Sequence, residues 1–395
     1  MPKKNLIQLT SSYDDLLKSL KSTTLKHYLQ QSGIPLPTPV NKVNLFSTLN
    51  QSLQELNVSP LLSHDYGKRP LNLLSVDVGV RNFSFCRFEI SKLGFGSISQ
   101  TKSKKKGKGQ VSAGSTVVVT QWYKMNLHEF TGIKDESLNP LNYSKMVNKL
   151  IWNLIYPPST SSCKYPDIIL VERQRFRSGS QNNVLETILK TNVLEHMLIS
   201  SLETASLMRP ELYHPQIISC SPQAMAWFWK HRYCELTGID PDQLKTASDN
   251  KLVRLKIVQD WLNHLILGQK ELELEFGVSN TPMFQFSHGL QNRVIDHFNA
   301  SEKNVTRFNR FKSPSRRVYE LVSLLNTLND DGLRIELDDE ETALKKGDDM
   351  ADSLLHGVSY LMFHYNKVKI KDELDRQMLE IAGNKTKKDK TTKRK

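Results

Sequence analysis

The stretch around which the chain is organised runs from Pro166 to Arg177 and reads Pro-Asp-Ile-Ile-Leu-Val-Glu-Arg-Gln-Arg-Phe-Arg. The aliphatic run Ile168–Val171 predicts a short strand that is buried on both faces. Glu172 comes directly after it, which places a carboxylate at the carboxyl end of a buried strand, where α/β folds hold their chemistry. The alternative is a strand that simply leaves the core through charged residues, and two further acidic stretches bear on that choice.

Basic residues follow Glu172 at once, with Arg173, Arg175 and Arg177 arranged around Gln174. Guanidinium groups bind phosphate oxygens through paired hydrogen bonds, so these arginines would hold a polyanion close to the glutamate. The pattern predicts a phosphate-rich ligand beside Glu172.

A second buried strand, residues 71–80, carries Asp77 where the apolar pattern predicts another aliphatic residue. A buried carboxylate is costly unless it is paired, protonated or bound to a metal ion. Gly79 removes a side chain two residues later and allows a ligand or a backbone segment to come close. Residues 82–90 and 116–123 alternate as strands and complete a predicted three-stranded meander. The alternative for Asp77 is a turn aspartate at a strand end.

The third acidic stretch opens the last strong helix, in which Asp348, Asp349 and Asp352 follow Lys345 and Lys346. Aspartates in the first turn suit the helix dipole, and Asp352 shares their face because it lies three and four residues later. Helix capping explains one aspartate at this position but not all of them.

The composition favours a nucleic-acid partner. The 395 residues carry a net charge of +13 and have a pI near 9.4, which suits a polyanion more than a membrane. The four cysteines form no Cys-x-x-Cys pair, which argues against a zinc ribbon. No apolar run approaches the ~20 residues of a membrane span. The N-terminus, with Asp14 and Asp15 but no early arginine, is a marginal mitochondrial presequence.

Three parts are predicted along the chain: residues 1–60 form a small helical module, residues 70–366 a large domain, and residues 367–395 a basic disordered tail. Insertions are predicted near 93–114, which is rich in lysine and glycine, and at 268–341, which has little periodicity. A helix, a Gly-Pro turn and a second helix with a basic start make the first part resemble a SAP-like DNA-binding motif. The alternative is a plain helical hairpin that packs on the main domain.

The three acidic stretches together suit a metal-dependent nuclease. Mg²⁺ takes oxygen ligands, usually a few carboxylates completed by water and substrate phosphate. Two such ions ~4 Å apart activate a water molecule and stabilise the leaving oxygen in phosphodiester cleavage. Asp77, Glu172 and the aspartates of the late helix supply carboxylates from three separate elements, as such a site requires.

These motifs resemble those of the RNase H-like nuclease superfamily: a strand with Asp77-x-Gly79, a meander, Glu172 at the end of the fourth strand, and Asp-x-x-Asp on a late helix. The resemblance spans residues 71–363 with gaps. It implies an α/β fold, with an RNase H-like, RuvC-type mixed sheet flanked by helices.

More narrowly, the chain resembles the fungal mitochondrial Holliday-junction resolvases, relatives of bacterial RuvC. The shared features are Glu172 followed by Arg-Gln-Arg-Phe-Arg-Ser-Gly, the Ser-Pro helix that holds Trp227 and Trp229, and Lys345-Lys346 before the aspartates. This resemblance implies a Mg²⁺-dependent homodimer, with Mn²⁺ able to substitute, that binds four-way junction DNA in mitochondria and nicks two opposed strands. It implies no membrane partner and no small-molecule substrate.

The resemblance makes five acids candidate catalytic residues. Asp77, Glu172 and Asp352 carry over as metal ligands. Asp349 lies three residues before Asp352, which matches the Asp-x-x-Asp spacing, and it is taken as the fourth metal ligand. Asp348 lies four residues before Asp352 and fits the i,i+4 alternative, so both stay candidates. The residues that the resemblance assigns to DNA contact are Arg173, Gln174, Arg175, Arg177, Lys345 and Lys346.

Other functions remain open at this point. Asp-Asp-x-x-Asp also occurs as the diphosphate-binding motif of terpene synthases, but those are all-helical, and the predicted strands speak against them. A nuclease of the same fold that cuts RNA or RNA–DNA hybrids would use the same metal chemistry. A non-catalytic DNA-binding protein would need the basic surface but not buried acids beside phosphate-binding arginines.

Overall fold

The structure is a computed structural model that describes residues 16, 19–92, 116–156, 164–174, 186–208, 214–267, 284–329 and 345–392. The chain divides into two compact units. The first contains residues 1–63 and 359–395, and the second contains residues 64–358. Among the described residues, no helix has the length and apolarity needed to cross a membrane.

The first unit is helical. It contains α1 (Ser22–Gln31), α2 (Lys42–Glu55), the short α3 (Pro60–Ser63) and the C-terminal part of a long last helix. Gly33 ends α1 with a φ of +69°, a left-handed conformation that glycine adopts without strain. Its missing side chain also makes room for Phe363, whose ring would lie 2.1 Å from a Cβ atom at this position.

The last helix corrects one prediction. Residues 367–395 were predicted to be a disordered basic tail, but the helix continues through this range to Thr392. Ile370 and Leu374, one turn apart, are buried in the apolar core of the first unit together with Leu29 and Leu45. The burial of this narrow apolar stripe stabilises a helix whose high overall charge suggested disorder.

The second unit is built on a six-stranded mixed sheet. Its strands are β1 (Leu71–Asp77), β2 (Phe83–Lys92), β3 (Thr116–Met125), β4 (Ile168–Glu172), β5 (Gln216–Cys220) and β6 (Gln285–Phe286). Their order is β5-β4-β1-β2-β3-β6. The meander β1-β2-β3 is antiparallel, whereas β4 lies parallel to β1, β5 parallel to β4 and β6 parallel to β3. The predicted meander and the predicted α/β class, a mixed sheet flanked by helices, are confirmed.

Helices cover both faces of this sheet. They are α4 (Leu127–Thr131), α5 (Pro140–Leu150), α6 (Glu186–Met208), α7 (Pro222–Thr237), α8 (Ala247–Leu267), α9 (His288–Asn299), α10 (Glu302–Asn309), α11 (Pro314–Thr327) and the first turns of α12 (Asp348–Thr392). A π-helical turn, Ile151–Ile155, extends α5. Within the predicted insertion at 268–341, the described residues 284–329 contain α9 to α11 and the edge strand β6, which the sequence did not predict. The basic loop at 93–114 lies outside the described residues.

Side-chain alternation decides which face of the sheet carries the acids. Leu74 and Val76 of β1 pack in one buried cluster with Met146 of α5 and Leu198 of α6. Asp77 follows Val76, and successive side chains of a strand point to opposite faces, so Asp77 belongs to the other face. That face is covered by the start of α12.

Candidate functional site

Asp77 and Glu172 meet at one edge of the sheet. They are the last residues of β1 and β4, two adjacent parallel strands in which Val76 pairs with Val171. Burial, followed by the charges of Glu172, Asp349 and Asp352, raises the pKa of Asp77 well above its ordinary value. A hydrogen bond links the Asp77 and Glu172 carboxyl groups. Asp77 therefore keeps its proton to a higher pH than Glu172 does.

His356 stabilises the negative charge on Glu172. It lies one turn beyond Asp352 on α12 and is buried, with its Nε2 3.1 Å from Oε2 of Glu172. Burial lowers the pKa of His356, but the charge of Glu172 and hydrogen bonds with Cys220 and Glu172 raise it to about 10. Burial by itself would raise the pKa of Glu172. The charge of His356 and the hydrogen bonds with His356 and Asp77 have the larger effect and lower this pKa. The contact is an imidazolium–carboxylate pair.

Asp352 pairs with an arginine from α8. Nε and Nη2 of Arg254 lie 2.7 and 3.1 Å from its two carboxylate oxygens. Burial raises the pKa of Asp352, Arg254 opposes this effect, and the charge of Glu172 adds to it. Asp352 thus belongs to the same charged group as Glu172, although the two are far apart in the sequence.

The adjacent aspartates at the start of α12 contact different neighbours. Asp349 accepts a hydrogen bond of 2.7 Å from Nζ of Lys124, a buried lysine near the end of β3 that also donates to the Lys346 carbonyl oxygen at 3.0 Å. Asp348 instead pairs with Lys251 of α8, and its buried Oδ1 has no hydrogen-bond partner among the described residues. Consecutive helical residues point about 100° apart, which explains the divergence. Asp77, Glu172, Asp349 and Asp352 are called the carboxylate cluster below.

The start of α12 is held in place by backbone contacts. The Gly347 N–H donates to the backbone oxygen and the hydroxyl of Ser315, both at 3.0 Å. A side chain at Gly347 would lie 2.6 Å from that backbone oxygen. The hydroxyl groups of Ser353 and Ser84 lie 2.9 Å apart and link the helix to β2. These contacts set the position of Asp349 and Asp352 over the sheet edge.

The predicted DNA-contacting residues have different surroundings. Arg173 and Lys346 are exposed, and Lys345 is half-buried. Gln174 faces inward, since its side-chain amide donates to the Val78 carbonyl oxygen at 3.1 Å and its backbone N–H donates to Glu195 at 2.8 Å. The two remaining predicted residues, Arg175 and Arg177, lie outside the described residues.

The donor chemistry of the carboxylate cluster fits a hard divalent cation, because it offers four carboxylates, and burial together with their mutual repulsion raises the pKa of Asp77. In the part of the chain that the structure describes, no three His, Cys, Asp or Glu side chains converge on a point that could hold a metal ion. Glu172, Asp349 and Asp352 are instead directed at protein cations. Direct coordination would require these carboxylates to exchange protein cations for the metal.

Sequence reasoning missed the three cations, Lys124, Arg254 and His356. Two signals could have found Arg254 and Lys124. Lys251 and Arg254 lie about one turn apart on α8, as Asp348 and Asp352 do on α12, which is typical of two helices paired by charge. Lys124 interrupts an apolar strand, and such a buried lysine requires an acidic partner.

Comparison with known proteins gives a family match and two curated relatives. Residues 73–370, more than half of the chain, match the family model described as mitochondrial resolvase Ydc2 / RNA splicing MRS1. The mitochondrial cruciform cutting endonuclease 1 of Saccharomyces cerevisiae is 27% identical over 319 residues, which are 78% of this chain and 73% of the relative. The protein of the same name from Schizosaccharomyces pombe is 27% identical over 204 residues, 51% of this chain and 64% of the relative.

A crystal structure is also among the matches. The crystal structure of the yeast mitochondrial Holliday junction resolvase Ydc2 aligns at 18% sequence identity with a TM-score of 0.44. The alignment covers 90% of this chain and 99% of that chain.

Proposed function

The chain belongs to the mitochondrial resolvase Ydc2 / RNA splicing MRS1 family, and from that premise we propose that it is a mitochondrial endonuclease that resolves four-way (Holliday) DNA junctions. Both curated relatives are named as mitochondrial enzymes that cut cruciforms, which are built on four-way junctions. The proposal follows the substrate in those names and adds the residues that perform the reaction.

The carboxylate cluster is the observation that carries this proposal. Acids from β1, β4 and α12 meet at one sheet edge. Burial and the charges of Glu172, Asp349 and Asp352 raise the pKa of Asp77. A protein that only binds DNA would gain nothing from this repulsive arrangement, because buried like charges cost stability and repel phosphate. A nuclease that uses divalent cations requires it.

We assign Asp77, Glu172, Asp349 and Asp352 as the residues that would hold Mg²⁺, with Mn²⁺ able to substitute. The bound metal would supply an activated water molecule and stabilise the leaving oxygen of the phosphodiester. Asp349 is preferred to Asp348 because its charge acts on Asp77, whereas Asp348 pairs with Lys251 of α8.

The protein's own residues would bind and orient the substrate and the acids. Exposed Arg173 and Lys346 lie beside Glu172 and before α12, in positions to bind the phosphates that flank the cut. We assign the same role to Lys345, Arg175 and Arg177. The amide of Gln174, which was also predicted to contact DNA, would instead hold the backbone after β1 through its contact with Val78.

Two copies of the chain would act on one junction. Symmetric resolution cuts two opposed strands, and the described residues contain one carboxylate cluster per chain. A homodimer with twofold symmetry supplies the second cluster in the matching orientation.

The N-terminal helices would bind the arms of the junction. Helices α1 and α2 form a hairpin, with exposed Lys21 before α1 and exposed Lys42 at the start of α2. Positive charge at such positions favours sequence-independent phosphate contacts. We therefore propose that residues 1–60 act as the SAP-like DNA-binding module and that the nuclease domain lies within residues 70–366.

The test compares a labelled four-way junction, a linear duplex and an RNA–DNA hybrid, each incubated with the full-length protein in Mg²⁺ or EDTA. We expect paired nicks in the junction alone, only with Mg²⁺, and none with Asp77→Asn although binding persists. Asp65→Asn, which changes an exposed aspartate, should cut normally. Cleavage of the hybrid but not of the junction would favour an RNA-containing substrate. RNA splicing is the other function in the family description. Tight junction binding without cleavage under any divalent cation would contradict the nuclease proposal.

A further inference from the structure

Arg254 projects from α8 into the carboxylate cluster. It makes the two-point contact with Asp352 described above, and its side chain is only 17% exposed. The guanidinium therefore reaches from α8 to the turn of α12 that holds two members of the carboxylate cluster, Asp349 and Asp352.

Two lysines hold the other aspartates at the start of α12. Lys124 binds Asp349 together with the carbonyl oxygen of Lys346. Lys251 pairs with Asp348 and so provides a second link between α8 and α12.

The energetic problem that Arg254 solves is repulsion between buried acids. Carboxylates gathered in a low-dielectric environment become protonated or destabilise the fold unless a cation lies among them. An arginine stays protonated in proteins, and its planar fork fits the two oxygens of a carboxylate. It can offset the charge of Asp352, and so part of the charge of the cluster, without any metal ion.

We propose that Arg254 is the built-in counter-ion of the carboxylate cluster, and that it competes with the divalent cation for Asp352. The inference rests on the proposed metal-dependent function. Coordination of the metal ion by Asp352 requires one or both hydrogen bonds from the Arg254 guanidinium to be released. Metal binding therefore replaces one cation at Asp352 with another. Arg254 thus keeps the acids together before the metal ion binds, and it lowers the affinity of the site for that ion.

The test measures Mn²⁺ binding to the metal-free, full-length protein from the electron paramagnetic resonance signal of free Mn²⁺. Arg254→Gln removes the charge and should tighten Mn²⁺ binding roughly tenfold or more, because a positive charge a few ångströms from the ion is lost. Arg254→Lys keeps the charge and should stay close to wild type. Arg232→Gln, which removes an exposed guanidinium paired with Glu235, is the matched control and should bind as wild type does.

A second measurement separates competition from a purely structural role. In EDTA, Arg254→Gln should melt below wild type, and Mn²⁺ should raise its Tm by more than it raises that of wild type. If Arg254→Gln does not fold in EDTA, the double variant Arg254→Gln/Asp352→Asn, which restores the charge balance, should fold. Failure of the double variant to fold would overturn the counter-ion role.

The outcomes distinguish this inference from the proposed function. Mn²⁺ binding that is lost in Asp77→Asn but unchanged or weaker in Arg254→Gln would overturn the inference and leave the metal-dependent nuclease intact. Absence of Mn²⁺ binding from both wild type and Arg254→Gln would overturn both.

Discussion

The indole Nε1 of Trp122 donates a hydrogen bond to the carbonyl oxygen of Met350 across 2.9 Å. Trp122 is buried in β3, and Met350 lies in the first turn of α12 between Asp349 and Asp352. This contact ties the turn that carries two members of the carboxylate cluster to the sheet that carries the other two.

Trp122→Phe should therefore weaken both the fold and the site. Phenylalanine keeps much of the apolar surface but leaves the Met350 carbonyl without this donor, a loss of about 1–2 kcal/mol in the free energy of unfolding. Urea unfolding measures the loss, and cleavage of the junction should fall with it. Trp152→Phe, at a partly exposed position, is the control. Equal losses in the two variants would show that the indole hydrogen bond contributes nothing specific.

Asp77→Asn should abolish cleavage and make the metal-free protein more stable above about pH 4. The folded pKa of Asp77 is raised by burial and by neighbouring acids, so wild type loses stability as the pH rises from the unfolded pKa towards the folded one. Asparagine does not titrate, and the stability difference should grow with pH over that window. Melting temperatures in EDTA at pH 5 and pH 8 provide the measurement. A difference that is the same at both pH values would refute the electrostatic explanation.

Glu195 should position the chain that follows Glu172. Its carboxylate accepts a 2.8 Å hydrogen bond from the Gln174 backbone N–H. Glu195→Ala removes the acceptor and should lower kcat for junction cleavage by about tenfold with little change in KM, because the misplaced glutamate affects reaction more than binding. Glu195→Gln retains an acceptor oxygen and should restore most of kcat. A fall in kcat that is equally large in Glu195→Gln would argue for a role of the negative charge instead.

His364 should make the first unit sensitive to acid. Burial, assisted by the charge of Lys367, lowers the pKa of His364 to about 4. The unfolded chain takes up a proton near pH 6.5, so this group's contribution is complete above that pH and is lost as the pH falls towards 4. The total effect is at most about 3 kcal/mol.

His364→Gln should flatten the pH dependence of unfolding between pH 6.5 and 4, measured by urea titration at several pH values. The same substitution at His288, which is exposed, should leave the curve unchanged. Parallel curves for wild type and His364→Gln would contradict the assignment.

Much of the second unit was predictable because its signals are local. Aliphatic runs and two-residue alternation predicted β1 to β4. The two-residue strand β6 was not predictable, since so short a segment becomes a strand only by pairing with β3. The tail after residue 366 was predicted wrongly, because composition could not reveal that Ile370 and Leu374 pack in the apolar core of the first unit.

The candidate site divides in the same way. The acids themselves could be chosen as candidates from the sequence, because their signals are local. One signal is a carboxylate that interrupts an apolar run, and the other is a group of aspartates larger than helix capping requires. Their pairing was not, since Arg254 and Asp352 are separated by 98 residues and meet only when α8 packs beside α12. The preference for Asp349 over Asp348 likewise depends on the rotation of α12 about its axis. Periodicity identifies an element and its apolar face, but the docking of two elements fixes which charges lie within hydrogen-bonding distance.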